Sequence, residues 1–253
     1  MTKQNWSREE LIIAFNLYCK IPFGKIHNRN PEIISLSKLL GRTPSALSWK
    51  LANFSRLDPT LQKRNISGAT HGSKEEIGVW HEFSADWERL AFESEKLLAK
   101  ITGKDLDETF KDVEQIREGK ERETKVRIRV NQNFFRATVL AAYSNKCCVT
   151  SLDVVELLNA SHIIPWSADI PNRVNPQNGL CLNAIHDRAF DRGLITITPD
   201  YYIKISSKIK PKSANNASKI FLLDYDGAKI SLPSRFKPNP DFLKYHNENI
   251  FIS

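Results

Sequence analysis

Hydrophobic positions recur at helical spacing through the first hundred residues. Ser7 and Glu10 form a capping-box pattern ahead of "ELIIAFNLY", in which Leu11, Phe15 and Tyr18 fall on one face. Asn30 and Pro31 are a cap and first-turn pair for "PEIISLSKLL", which Gly41 ends. Thr43 and Pro44 start a third helix, "PSALSWKLANF": Leu47, Leu51 and Phe54 face one way, leaving Ser45, Trp49, Asn53 and Arg56 mostly on the other. Ser73 and Glu76 cap a longer run, in which Trp80, Phe83, Trp87, Leu90, Ser94, Leu97 and Ile101 follow in steps of three and four. That is a heptad seam, about 40 Å long if continuous.

Polar stretches separate these patterns. Residues 58–72 read as a loop, and 103–124, "GKDLDETFKDVEQIREGKERET", as a charged helical or flexible connector. From 125 the period changes. "KVRIRV" alternates basic and branched residues, "NQNFFRATVLAAY" reads as a helix, and "LITITPDYYIKIS" and "IFLLDYDGAKISL" each hold two runs around a turn signal, the pattern of hairpins. Between them lie a strand ending at His162, a loop rich in Pro and Asn, a strand at Gly179–Leu182 and a short helix from Ala184 to Asp191. The expected class is α+β, with a helical unit at 1–72, a helical spacer at 73–124 and a mixed domain at 125–253.

Composition narrows the class. Across 253 residues, 41% are hydrophobic, enough for real cores. No apolar run approaches the roughly 20 residues of a membrane span, and "MTKQNWSREE" lacks the layout of a secretory leader, so a soluble cytoplasmic protein is expected. Cys19, Cys147, Cys148 and Cys181 make no framework of spaced pairs, which favours reduced thiols. The net charge of +8 is unevenly spread: residues 1–72 carry 11 Lys+Arg against 4 Asp+Glu, residues 73–124 carry 9 against 15, and the remainder 17 against 10. Two basic ends around an acidic middle suit a polyanionic partner, although a merely lysine-rich solvated surface gives the same count.

A short helix, a glycine turn and a helix with small polar and basic residues outward is the layout of a helix-turn-helix reader, which places its second helix in the major groove. On that expectation Arg42, Ser45, Lys50 and Asn53 contact double-stranded DNA. A plain interaction or scaffolding bundle shares the pattern, and the aromatic seam either buries itself within the protein or pairs two copies as a homodimer.

His162 ends an apolar run in "LLNASHIIPWS". Alone, it reads as a histidine that bonds a nearby carbonyl. Sixteen residues on comes Asn178 in "NPQNGLCL", and eight further His186 in "NAIHDRAFDRG". This constellation resembles the HNH, or ββα-metal, nucleases, and among them the bacterial restriction-type HNH endonucleases. The likeness runs through "RVNQNFFRATVLAAYSNKCCVTS", "ASHIIPW", "NRVNPQNGLCLNAIHDRAFDRGLITI", "DYDGAKISLP" and "LKYHNENIF", residues 129–251.

The resemblance implies roles. His162 is the general base, Asn178 pins the loop that orients it, and His186 holds one divalent cation, Mg²⁺ first, with Mn²⁺, Ni²⁺ or Zn²⁺ as alternatives. Many relatives place an acidic residue or second histidine just before the base, where this chain has Ser161. Asp187, which adjoins His186, is the preferred replacement ligand, with Asp191 or water as alternatives. The cysteines cannot make the two Cys-x-x-Cys pairs of the structural zinc some relatives carry. Arg173, in the loop, suits phosphate contact, and His246 is read as structural. The implied activity is metal-dependent cleavage of foreign DNA, modified DNA included, in a restriction setting. The alternatives are a DNA-binding regulator with a degenerate nuclease site, for which Ser161 speaks, and a non-specific nuclease toxin.

Overall fold

The computed structural model describes residues 5–64, 72–104, 120–209 and 216–253, with side chains omitted at 120–122. The chain divides into two compact units, Met1–Ala137 and Thr138–Ser253.

The first unit is built around α1 (Arg8–Lys20), whose buried residues Leu11 to Phe15, Tyr18 and Cys19 cover most of its circumference. A helix apolar on nearly every side must be surrounded. It packs against α3 (Pro44–Ser55), α5 (Lys74–Ser84) and α6 (Trp87–Thr102), while α2 (Pro31–Leu39) packs on α3 and α4 (Pro59–Gln62) follows it. The expected caps form: Ser7 with Glu10, Asn30, Thr43, and Ser73 with Glu76. Gly41 takes φ +63°, the left-handed conformation that lets the chain turn between α2 and α3.

The heptad run differs from expectation. It breaks at Ala85 and Asp86, where Asp86 leaves helical geometry and its carboxylate accepts the Arg89 N–H at 3.0 Å, starting α6 afresh. Two shorter helices can each lay the seam on α1. The Phe15 ring lies 5.0 Å from that of Trp80, 6.0 Å from Trp87 and 4.9 Å from Phe54. Asn16 Nδ2 donates to Ser94 Oγ at 2.5 Å, and Lys20 pairs with Glu95 at 3.0 Å. Residues 74–102 therefore pack in the same compact unit as the preceding helices, and most of the seam through Ser94 is buried within it, while Ile101 stays exposed. Most of the expected charged connector, 105–119, lies outside the described residues.

The division between units falls within α7 (Lys120–Ala142). "KVRIRV" is helical, not extended. Val126, Val130 and Phe134, all buried, are four apart and so share a helical face, a spacing that also satisfies strand alternation over so short a stretch.

In the second unit, β1 (Leu158–His162) and β2 (Gly179–Asn183) form an antiparallel pair in which Leu158 faces Asn183 and His162 faces Gly179. α8 (Ala184–Asp191) packs against both. β3 (Ile195–Ile197) and β4 (Ile203–Ile205) form the expected first hairpin. The second does not form. "IFLLDYDGAKISL" contributes the end of α9 (Asn216–Phe221) and a 3₁₀ turn at Leu223–Tyr225, then joins the hairpin through a single bridge between Tyr202 and Lys229. α10 (Pro240–Asn249) closes this side: Asn247 Nδ2 donates to Thr196 Oγ1 at 3.0 Å and to the Ile197 carbonyl at 2.8 Å. Gly193, at φ +66°, turns the chain from α8 into β3, and a Cβ there would meet the Ile250 carbonyl oxygen at 2.0 Å.

Candidate active site

β1 stops where Pro165 removes a backbone donor, and the chain enters a long loop before β2. Asn178 holds that loop. Fully buried, its Oδ1 accepts the Ile164 N–H at 2.8 Å, and its Nδ2 donates to the carbonyls of Ile164 at 3.1 Å and Asn172 at 3.2 Å. The Ile163 N–H donates to the Asn178 carbonyl at 2.9 Å. Asp169 accepts from the Asn172 side chain at 2.8 Å, and Asn172 accepts from Asn175 at 3.0 Å, so polar side chains cross-brace the loop.

The braced loop presents the Arg173 carbonyl to His162, 2.8 Å from Nε2. A carbonyl only accepts, so Nε2 carries the proton and Nδ1 the lone pair. Half-burial lowers the pKa of His162 below the ordinary imidazole value; the Arg173 carbonyl acts in the opposite direction and does not overcome it. The ring is therefore a neutral imidazole at neutral pH, the protonation state of a base.

α8 begins at Asn183, whose Oδ1 accepts the N–H groups of Ile185 at 3.1 Å and His186 at 2.9 Å. From this helix Asp187 and Asp191, one turn apart, line a pocket of about 450 Å³ together with Ser161, His162, Trp166 and His246. Asp187 is held from β1: its Oδ2 accepts from Asn159 Nδ2 at 2.7 Å and its Oδ1 from the Ser161 hydroxyl. Asp191 stands at the rim. Partial burial, and then the charge of Asp187, push its pKa above the usual carboxylate value against the pull of Arg188 and Arg192.

His186 is not in this pocket. It is 3% exposed, its ring stands edge-on to Tyr225 at 5.3 Å, and neither nitrogen has a partner in good hydrogen-bond geometry. It does interact with Cys147. Burial opposes ionisation of that thiol, but interactions with His186, Thr150 and the local backbone outweigh it and bring the pKa to about 7. The structure does not bring His186 and Asp187, the two expected metal ligands, to one cavity: adjacent residues of a helix point about 100° apart, and Asp187 lines the pocket while His186 is buried. Residues four apart share a face, which is why Asp191 accompanies Asp187.

Of the residues expected to read DNA, Ser45 remains exposed, accepting from Asn28 Nδ2 at 3.1 Å, beside Trp49 at 64% exposure. The other three N-terminal candidates turn inward. Arg42 forms a two-pronged pair with Glu10, both contacts 2.8 Å, and its guanidinium lies over Trp6. Lys50 pairs with the buried carboxylate of Glu76, which also accepts from Asn53 Nδ2 at 3.1 Å. The reason is α5: its buried Glu76 needs donors, and α3 supplies them. The Arg173 guanidinium lies 5.0 Å from the ring of Trp166, which lines the pocket, and its Nε is buried with no hydrogen-bond partner.

His246 is buried, its Nδ1 2.8 Å from Thr196 Oγ1 and its Nε2 3.2 Å from the Phe190 carbonyl, with its ring stacked on Phe190 at 3.7 Å. Burial lowers its pKa to about 4, against the pull of the Phe190 carbonyl. Sequence reasoning passed over Asn159 and Trp166; their one signal was position, three residues before the base and directly after Pro165.

All four cysteines are buried. Among the described residues no helix is long and apolar enough to cross a membrane. Residues 147–198, which contain β1, the braced loop, β2, α8 and β3, match the family model described as HNH endonuclease. No curated protein matches the chain.

Proposed function

We propose that this chain, whose residues 147–198 match the HNH endonuclease family model, is a metal-dependent DNA endonuclease of restriction type, with His162 as general base. The observation that carries this is one pocket lined by a neutral imidazole and two carboxylates.

The donor set fits a divalent cation. Asp187 and Asp191 bring two carboxylates to one face, and the charge of Asp187 already raises the pKa of Asp191, a repulsion that a cation relieves. Among the described residues no group of three or more His, Cys, Asp or Glu could hold a metal ion. Two carboxylates with the remaining positions left to water and phosphate suit Mg²⁺ or Mn²⁺ better than Zn²⁺, which takes three or four protein ligands. When bound, such an ion supplies charge neutralisation at the scissile phosphate and leaving oxygen.

The chain's own residues do the rest. Nδ1 of His162 accepts a proton from water as that water's oxygen bonds to phosphorus; the P–O3′ bond breaks and O3′ takes up a proton from solvent, leaving a 5′-phosphate and a 3′-hydroxyl. The Arg173 carbonyl keeps the ring in the required tautomer, and Asn178 keeps the Arg173 carbonyl in place. The half-buried Arg173 guanidinium, beside Trp166 of the pocket lining, supplies positive charge toward the phosphate. Ser161, at the position where relatives carry a ligand, orients Asp187 through its hydroxyl. That role gives Ser161 a use in a working site and weakens the regulator alternative.

Incubating the full-length protein with supercoiled plasmid tests this. Nicking or linearisation that requires Mg²⁺ or Mn²⁺ and stops with chelator is expected. Tight binding without cutting under any divalent ion would favour the regulator, and degradation of RNA at a rate similar to DNA would favour the toxin.

A further inference from the structure

Trp166 follows Pro165 in a tight turn closed by the Ala168 N–H donating to the Pro165 carbonyl at 2.9 Å, which folds the indole back toward β1. Its ring stands edge-on to the His162 imidazole, centroids 5.5 Å apart and planes at 87°. The positive edge of one aromatic ring meeting the face of another is a preferred geometry that fixes both. Its other neighbour is the Arg173 guanidinium, 5.0 Å from the ring. Arg173 thus reaches His162 by two routes, directly through its carbonyl and indirectly through Trp166.

An indole is well suited to this place. It is rigid, with two side-chain torsions, and it presents a wide negative face to a cation. Its apolar bulk also keeps water off one side of the imidazole. A leucine would supply the bulk without the face, and a phenylalanine would supply a smaller version of both.

We propose that Trp166 is a positioning residue that holds the His162 imidazole and the Arg173 guanidinium in one fixed arrangement, so that base and phosphate contact are set together. This rests on the nuclease reading for its kinetic consequence, but the arrangement itself is measurable without any reaction. The charged and titratable groups facing His162 are Asp187 and Asp191 from α8, Arg173 from the loop and His246 from α10. Trp166 carries no charge, so its removal changes the solvation and order of the ring and leaves that set intact.

Two measurements on the full chain test the proposal. The first is cleavage of a DNA duplex with Mg²⁺ or Mn²⁺ by Trp166→Ala, Trp166→Phe, Trp166→Leu and Arg173→Ala. Expected are a fall in kcat on the order of 10- to 100-fold for the alanine variant, recovery of most of it by phenylalanine but not by leucine, and a smaller loss from Trp166→Ala when Arg173 is already alanine. The second is NMR titration of the His162 ring, assigned by comparison with His162→Gln. In Trp166→Ala the ring is expected to protonate at higher pH than in the parent, closer to a free imidazole. If leucine serves as well as phenylalanine, or the His162 titration is the same in parent and alanine variant, the proposal is overturned. Should the parent cut no nucleic acid, the nuclease reading fails, and the ring titration still decides whether Trp166 holds His162.

Discussion

The carboxamide of Asn178 bonds both backbone groups of Ile164, accepting its N–H at 2.8 Å and donating to its carbonyl at 3.1 Å, across fourteen residues of loop. The consequence runs from Asn178 through the loop to the Arg173 carbonyl and so to the tautomer of His162. Asn178→Ala leaves buried backbone groups unsatisfied, at about 1 to 3 kcal/mol each, and frees the loop. A lower melting temperature and a cleavage rate down on the order of 100-fold are expected. Asn178→Asp, which still accepts but no longer donates, should also lose activity; wild-type rates in both would remove Asn178 from the site.

Asp187 and Asp191 share a face of α8 that His186 does not. Asp187→Asn and Asp191→Asn should each raise the Mn²⁺ concentration needed for half-maximal cleavage by about tenfold or more. His186→Gln should leave that concentration nearly unchanged while lowering thermal stability, because a buried ring against Tyr225 and Cys147 is lost. Metal titrations of the three variants separate the two outcomes.

Ser161→Ala keeps the fold of β1 but removes the donor to Asp187. The expected result is weaker metal binding, with the half-maximal metal concentration raised as in Asp187→Asn though by less, and an unchanged melting temperature. If Ser161 is merely a small buried residue, the alanine variant will titrate like the parent.

Histidine protonation predicts two pH effects. Burial lowers the pKa of His162, so the acid limb of kcat/KM should lie below the ordinary imidazole value, and activity should rise with pH through it and then level. His246 concerns stability. Its folded pKa of about 4 lies below the unfolded value of 6.5, so the unfolded chain binds a proton that the fold excludes. Its contribution is complete above pH 6.5 and is lost as pH falls toward 4, amounting to about 3 kcal/mol. Denaturant melts across that range should show a steeper acid loss in the parent than in His246→Gln.

Much of the second unit is legible in the sequence because its signals are local. Pro165 ends β1, Asn183 caps α8, and Gly193 turns the chain into β3, each through chemistry confined to a few residues. The features that escape are those decided by neighbours distant in sequence. Nothing near Lys50 or Asn53 announces that Glu76 will need them, so a face that looks outward on α3 is claimed by α5. Asp86 breaks the heptad seam because α1 offers two burial surfaces instead of one long groove. "KVRIRV" satisfies two periods, and only the buried face shared with Phe134 decides between them. That Asp187 and Asp191 line one pocket follows from spacing: residues four apart share a helix face, whereas adjacent residues such as His186 and Asp187 point about 100° apart.

The most direct test of the central claim is single-turnover cleavage of DNA by His162→Ala with saturating Mg²⁺ or Mn²⁺, alongside DNA affinity measured in the same buffer. A general base whose removal leaves the pocket otherwise intact predicts a rate lower by on the order of 100- to 10,000-fold with affinity within a few-fold of the parent. A variant that cuts at the parental rate would contradict the assignment.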